Sequence, residues 1–339
     1  MNDLTPSFTA AFEAVPSRTT PGLASLRLLL PRLVALTTVT LLIAACGGTE
    51  EGGMPEGEAD VSAVPAAAEP SGAITVAGVG FATPESVLHE RVGDVYLVSN
   101  INGAALDKDG NGFISKLSPE GEVLELRWID GAADGVTLNA PKGMAIDDEL
   151  LYVADIDCVR LFELETGAPA GEVCPPGATF LNDVAPHPEA GVLVTDSGLD
   201  ATFTPVGADA VYHVLGTQAA AAVRDPDFGA PNGVAIFGGE VYVVTFMSGR
   251  IFRITGQDEK EEILAVEGGQ LDGIHFLTDG RALVSNWATS CIHALDPDGG
   301  LECVMPDLEA PADIGVDHTR DRVLVPLFNA NEVRILPVG

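Results

Sequence analysis

Six copies of one short phrase run through this chain. Pro84-Glu85-Ser86-Val87, Pro141-Lys142-Gly143-Met144, Leu181-Asn182-Asp183-Val184, Pro231-Asn232-Gly233-Val234, Leu271-Asp272-Gly273-Ile274 and Pro311-Ala312-Asp313-Ile314 can be laid over one another. Each is followed by an apolar stretch rich in Val, Tyr and Leu: residues 95–99, 151–155, 192–196, 241–245, 282–286 and 323–327. The second residues of the phrases fall 57, 40, 50, 40 and 40 positions apart. A period of roughly 40–50 residues with about four short strands in each is that of a β-propeller blade. The chain is therefore expected to be all-β, a single six-bladed β-propeller. Radial closure would bring the second residues onto a ring around the central channel: Glu85, Lys142, Asn182, Asn232, Asp272 and Ala312.

The propeller is expected to span residues 73–339. Gly, Pro, Asp and Asn punctuate this region about every 8–12 residues, which is the all-β pattern and leaves little room for helices. Apolar residues make up 46% of the chain, enough to fill the interfaces between blades. Blade six has only three strands of its own, near 313–316, 322–326 and 331–337. The stretch from Ala73 to Val79 precedes blade one with no blade of its own. It is predicted to be the outer strand of blade six, joining the two ends and removing a long free edge.

Residues 1–45 read as a lipoprotein signal peptide. Arg27 and Arg32 precede an apolar run over 33–45, too short to span a bilayer. Ile43-Ala44-Ala45-Cys46 resembles a bacterial lipobox, which predicts lipid on Cys46 and a place in the bacterial cell envelope, periplasm-facing or at the outer surface. The other reading is an ordinary signal peptide with an incidental cysteine. Residues 46–72 hold six acids and no base among Gly, Pro and Ala, and are expected to be a flexible acidic tether.

Without residues 1–45 the chain carries 48 acids against 14 bases. That balance excludes nucleic acid as a natural partner, because no basic patch can displace counterions from phosphates. It also repels an anionic bilayer, so membrane attachment must come from the lipid. A monomer is expected.

Four further cysteines fall in two pairs. Cys158 opens the third strand of blade two and Cys174 closes the next; Cys291 opens the third strand of blade five and Cys303 lies on the next. Each pair sits across the outer hairpin of one blade, while blades two and five face each other across the ring. Disulfides Cys158–Cys174 and Cys291–Cys303 are predicted, in keeping with an oxidising compartment; a thiolate metal site is the alternative.

The loops between second and third strands should overhang the ring, the long ones being 101–112 and 197–210. Phe246, Trp287 and Phe328 sit in shorter ones, where they form either an aromatic rim to a small-molecule pocket or simple covers for blade ends. Asp155 and Asp157 belong to the same set. Asp107 to Ser115 copies the first nine positions of an EF-hand loop but lacks the bidentate Glu and the flanking helices, leaving an Asp/Gly turn or a peripheral calcium loop. Lys142 on the ring would compensate the carboxylates or bind a substrate carboxylate or carbonyl. His275 is either a packed histidine or a base.

These phrases resemble those of the gluconolactonase/senescence-marker-protein superfamily of six-bladed propellers, with paraoxonases more distant; the resemblance covers residues 80–339. It implies one divalent cation held by Glu85 in Pro-Glu-Ser, Asn182 in Leu-Asn-Asp, Asn232 in Pro-Asn-Gly and Asp272 in Leu-Asp-Gly. The all-oxygen set suits calcium first, with magnesium or manganese as alternatives. Phe180 stands where sugar lactonases of the family have an arginine, so a sugar lactone is not implied. The strictosidine-synthase branch uses the fold without a metal, so fold alone does not fix function. Two functions follow. One is a metal-dependent lactonase or ester hydrolase acting on a small molecule, with Asp272 as catalytic base and Lys142, Phe246, Trp287 and Phe328 around the substrate. The other is a non-catalytic binding propeller with a structural metal.

Overall fold

The computed structural model describes residues 71–338. The expected signal peptide, Cys46 and almost all of the expected tether lie outside the described residues. Within them, twenty-four strands form six four-stranded antiparallel sheets and there is no helix. This is the six-bladed propeller that the repeats predict. The innermost strands are Pro84–Glu90, Pro141–Asp147, Leu181–Pro186, Pro231–Phe237, Leu271–Phe276 and Gly315–Asp317. Blades one to five take their four strands in chain order.

Blade six is completed from the other end of the chain. Ile74–Val76 pairs antiparallel with Glu332–Pro337, placing Ile74 opposite Ile335 and Val76 opposite Val333. Val76, Val333 and Ile335 then pack with Val87, Tyr96 and Leu117 of blade one. The closing strand therefore satisfies an edge and seals the interface between the last blade and the first.

Side chains alternate along each strand, so each blade faces two neighbours. Val192 and Val194 turn toward blade two, where they meet Ala145, Tyr152 and Val159. Leu193, between them, joins the core shared with blade four, beside Val234, Val243 and Phe252. The core is thus a ring of interfaces rather than one central mass, and the axis is left to polar residues. Both predicted disulfides are present, Cys158–Cys174 and Cys291–Cys303.

The repeated phrase has a structural meaning of its own. In five blades the ladder between first and second strands slips within it, between Pro84 and Ser86, Pro141 and Met144, Leu181 and Val184, Pro231 and Val234, and Leu271 and Ile274. A bulge lifts residues out of the ladder and re-aims their side chains. Here it frees the second and third residues from ordinary pairing in blades two to five, and the second residue, Glu85, in blade one, where Ser86 pairs with Ser99.

Candidate metal centre and its cover

Glu85, Asn182, Asn232 and Asp272 come from blades one, three, four and five, and each is only 3–6% exposed. Each also keeps one buried oxygen without a hydrogen bond: Glu85 Oε2, Asn182 Oδ1, Asn232 Oδ1 and Asp272 Oδ1. Local contacts explain part of this. The Asn182 amide nitrogen donates to Ser197 Oγ at 3.1 Å, and that hydroxyl donates to the Pro231 carbonyl at 2.7 Å. The amide is thereby fixed with its oxygen unused. A buried polar atom left unpaired costs about 1–3 kcal/mol. Four such atoms on one repeat position form a donor set that fits a hard cation bound by oxygen.

A second layer of acids lies one residue further along. Asp183 accepts the backbone N–H groups of Val184 at 2.6 Å and Val234 at 2.7 Å; Asp313 Oδ2 accepts the Ser86 hydroxyl at 2.6 Å. Room for them comes from glycine. A Cβ on Gly143 would lie 2.2 Å from Asp183 Oδ1, and one on Gly273 would lie 2.8 Å from Asp313 Oδ1. The second column of the phrases does not contain Asp183 and Asp313, but the third column displays them plainly.

Four buried carboxylates thus face one buried ammonium. Burial pushes the Glu85 carboxyl well above its usual range, Asp272 and Asp313 push it further, and Lys142 opposes them. Asp272 is likewise raised by burial and then by Asp313, against the pull of Trp287 and Asn232. Neither the Trp287 indole N–H nor Asp272 Oδ1 makes a hydrogen bond of normal geometry. Burial and Asp313 raise Asp183, and burial lifts Asp313 to about 7. Lys142 is lowered by burial, while Glu85 and Asp155 hold its charge in place. A surplus of like charges in a dry channel is costly unless a cation compensates it.

The long blade-one loop covers the ring, as its position between second and third strands implies. Ala105 and Leu106 pack against Phe180, Leu199, Ala230 and Phe246 on one side and against Ile101, Ala140, Ile156 and Phe328 on the other. Lys142 Nζ donates to the carbonyls of Ala105 and Ala140, each at 3.0 Å, and lies 4.8 Å above the Phe180 ring. The ammonium is thus committed within the protein. Phe180 also packs at 5.9 Å on Phe203 of the blade-three loop. Trp287 joins the rim aromatics, 5.5 Å from Phe246 and 5.0 Å from Phe328. All three stand together beside the lid.

Other candidates fall elsewhere. Asp155 is buried, accepts the N–H groups of Asn139 and Ala140, and pairs with Arg160 at 2.9 Å, so it braces the approach to blade two's phrase. Asp157 holds Lys108 of the lid loop at 2.7 Å. In the EF-hand-like stretch, Asp109 Oδ2 takes the Asn111 amide at 2.6 Å. His275 lies away from the ring, 5.6 Å from His318, and burial depresses it to about 4.

Neither a protein-family model nor a curated protein matches the sequence. Solved structures do. A gluconolactonase from Xanthomonas campestris superposes with a TM-score of 0.60 at 16% identity, over 79% of this chain and 89% of that one. The calcium-binding protein regucalcin from Agrobacterium tumefaciens gives 0.56 at 16% identity, over 76% of this chain and 90% of that one. This chain has their fold. Virginiamycin B lyase from Staphylococcus aureus also superposes, with a TM-score of 0.56 at 11% identity, covering 79% of this chain and 99% of that one. A hydrolase-type name and a lyase on one architecture leave chemistry to the site.

Proposed function

We propose that the ring is a divalent-metal site and that the protein is a metal-dependent lactonase or ester hydrolase acting on a small molecule. The supporting observation is the set of four buried, unpartnered oxygens on Glu85, Asn182, Asn232 and Asp272. Those residues would hold the cation, calcium before magnesium or manganese by the all-oxygen donor set. When bound, it supplies Lewis-acid polarisation of a substrate carbonyl.

The chain's own residues divide the remaining work. Asp272 is the general base, since it combines a free oxygen with a ring position. Asn182 and Asn232 supply neutral oxygens whose orientation does not change with pH. The apolar cover of Leu106, Phe180, Phe246, Trp287 and Phe328 excludes bulk water, which strengthens every charge interaction beneath it. Lys142 would have to release Ala105 before a substrate reached the ring, and its ammonium would then be free to meet a carboxylate or carbonyl. The gluconolactonase and regucalcin names of the fold's relatives agree with this reading.

A second reading is favoured by the closed cover, which leaves the ring residues almost inaccessible. In it the metal is structural and the rim grips a ligand without turnover. A panel of lactones and aryl esters, assayed with each cation and after chelation, separates the two. Metal-dependent hydrolysis supports the enzyme; an inert protein that merely melts earlier when chelated supports the binder.

We also propose lipid anchoring through Cys46 in a bacterial envelope, a reading supported by Ile43-Ala44-Ala45-Cys46 and by two disulfides suited to an oxidising compartment. Changing Cys46→Ala should release the protein from membranes; an unchanged membrane fraction refutes the anchor.

A further inference from the structure

The inner strands enclose a second space on the far side of the ring. Its inner end is formed by Ser86, Asp183 and Asp313, and it follows the inner strands away to Val92, Pro188, Thr278 and His318. The ring residues do not line it. Its volume is about 830 Å³, within the range of roughly 300–1,000 Å³ usual for small-molecule sites. The walls are largely apolar, with Met144, Ile146, Ile236, Phe276, Ile314 and Val316 among them.

Its charged groups are mostly of one sign. Four carboxylates line it (Glu90, Asp148, Asp183 and Asp313) against one guanidinium, that of Arg91. Glu90 is turned to the backbone N–H groups of Val92 and Gly93, and Asp183 to those of Val184 and Val234. Asp313 is different. Ser86 occupies its Oδ2, while Oδ1 has no hydrogen bond among the described residues. Burial disfavours the charged forms of His187, His275 and His318, and His89 is engaged by Asp94 and Asp317. An apolar tube ending in a carboxylate layer is complementary to a molecule with a hydrocarbon body and one cationic end.

We propose that this cavity is a second binding site, separate from the ring, for a small organic ammonium with an apolar body. The ammonium donates to Asp313 at the inner end and the hydrocarbon lies along Ile146, Ile236 and Phe276. Recognition rests on desolvation of the chain plus a charge-assisted hydrogen bond.

Titration calorimetry of the calcium-supplemented protein with hexylammonium, hexanol and hexanoate tests it. Hexylammonium should bind, hexanol at least tenfold more weakly, and hexanoate not at all. Asp313→Asn should weaken hexylammonium at least tenfold without affecting hexanol. Ile236→Lys, at a half-buried wall position, should abolish hexylammonium binding. Thermal melts show whether each variant is folded, and either one suffices if the other is not. Absence of binding, equal binding of hexanol, or unaltered affinity in the folded variants would overturn the proposal. So would competition that scales with calcium concentration, which would put the amine at the ring.

Discussion

The Lys142 ammonium lies 3.0 Å from the carbonyl oxygen of Ala105, so a ring position on blade two holds down a loop of blade one. Its second bond, to Ala140, ties the same ammonium to the strand that presents it. One side chain therefore couples the charge of the ring to closure of the cover. Anything that neutralises or withdraws that ammonium acts on both.

Lys142→Met should loosen the lid without unfolding the propeller. Two carbonyls lose a donor, which costs about 1–3 kcal/mol in stability. Amide exchange over residues 102–107 should accelerate, because the Ala105 anchor is gone. Mass-spectrometric hydrogen exchange reads this directly; protection equal to wild type would show that apolar packing alone holds the loop.

Asp272→Asn keeps the size and one oxygen of the side chain but removes its charge and basicity. Hydrolysis, measured at saturating calcium, should fall on the order of 100-fold or more, as for other general bases. Glu85→Gln should chiefly weaken metal affinity, with activity partly recovered in excess cation. Full turnover in Asp272→Asn would move the base elsewhere.

The ring and second-layer carboxyls should cost the chelated protein stability as pH rises from about 4 to 7, against the opposite pull of the depressed His187, His275, His293 and His318. Burial raises the carboxyls of Glu85, Asp183 and Asp272, and lifts Asp313 to about 7. Across that window these carboxyls hold protons in the folded form that the unfolded chain has released, so their contribution falls with pH. A saturating divalent cation should flatten this slope and release protons on binding. Melting temperatures across pH, with and without calcium, provide the check; a pH slope that calcium leaves unchanged would contradict it.

Replacing both Cys158 and Cys174 by serine should destabilise the fold by about 3 kcal/mol, from a loop whose ends are 16 residues apart. The shorter 12-residue separation of Cys291 and Cys303 should make that pair's loss slightly smaller. Chemical denaturation of the two double variants measures both; equal stability to wild type would mean the outer hairpins are already held by their ladders.

Some of this molecule could be read directly from the chain. The phrase recurs with a strand behind it, and a strand pairs mostly with its chain neighbours, so blade count and ring membership follow from local order. The hairpin disulfides and the closing strand before blade one follow for the same reason, since each completes a unit with one missing partner. The third-column acids were equally visible, but a column of Asp and Gly looks like turn chemistry until the strands are known to lie side by side.

Sequence alone determined the repeat, the all-β class and which side chains share the ring, because those depend on periodicity. Tertiary structure decided what that ring experiences. Lys142 spends its charge on Ala105 and Ala140, Asp155 braces a neighbouring strand, and His275 opens onto the far cavity. Four oxygens are left without partners under a closed lid. These outcomes depend on which loops cross the axis and how deeply each group is desolvated, and neither is encoded in a local pattern.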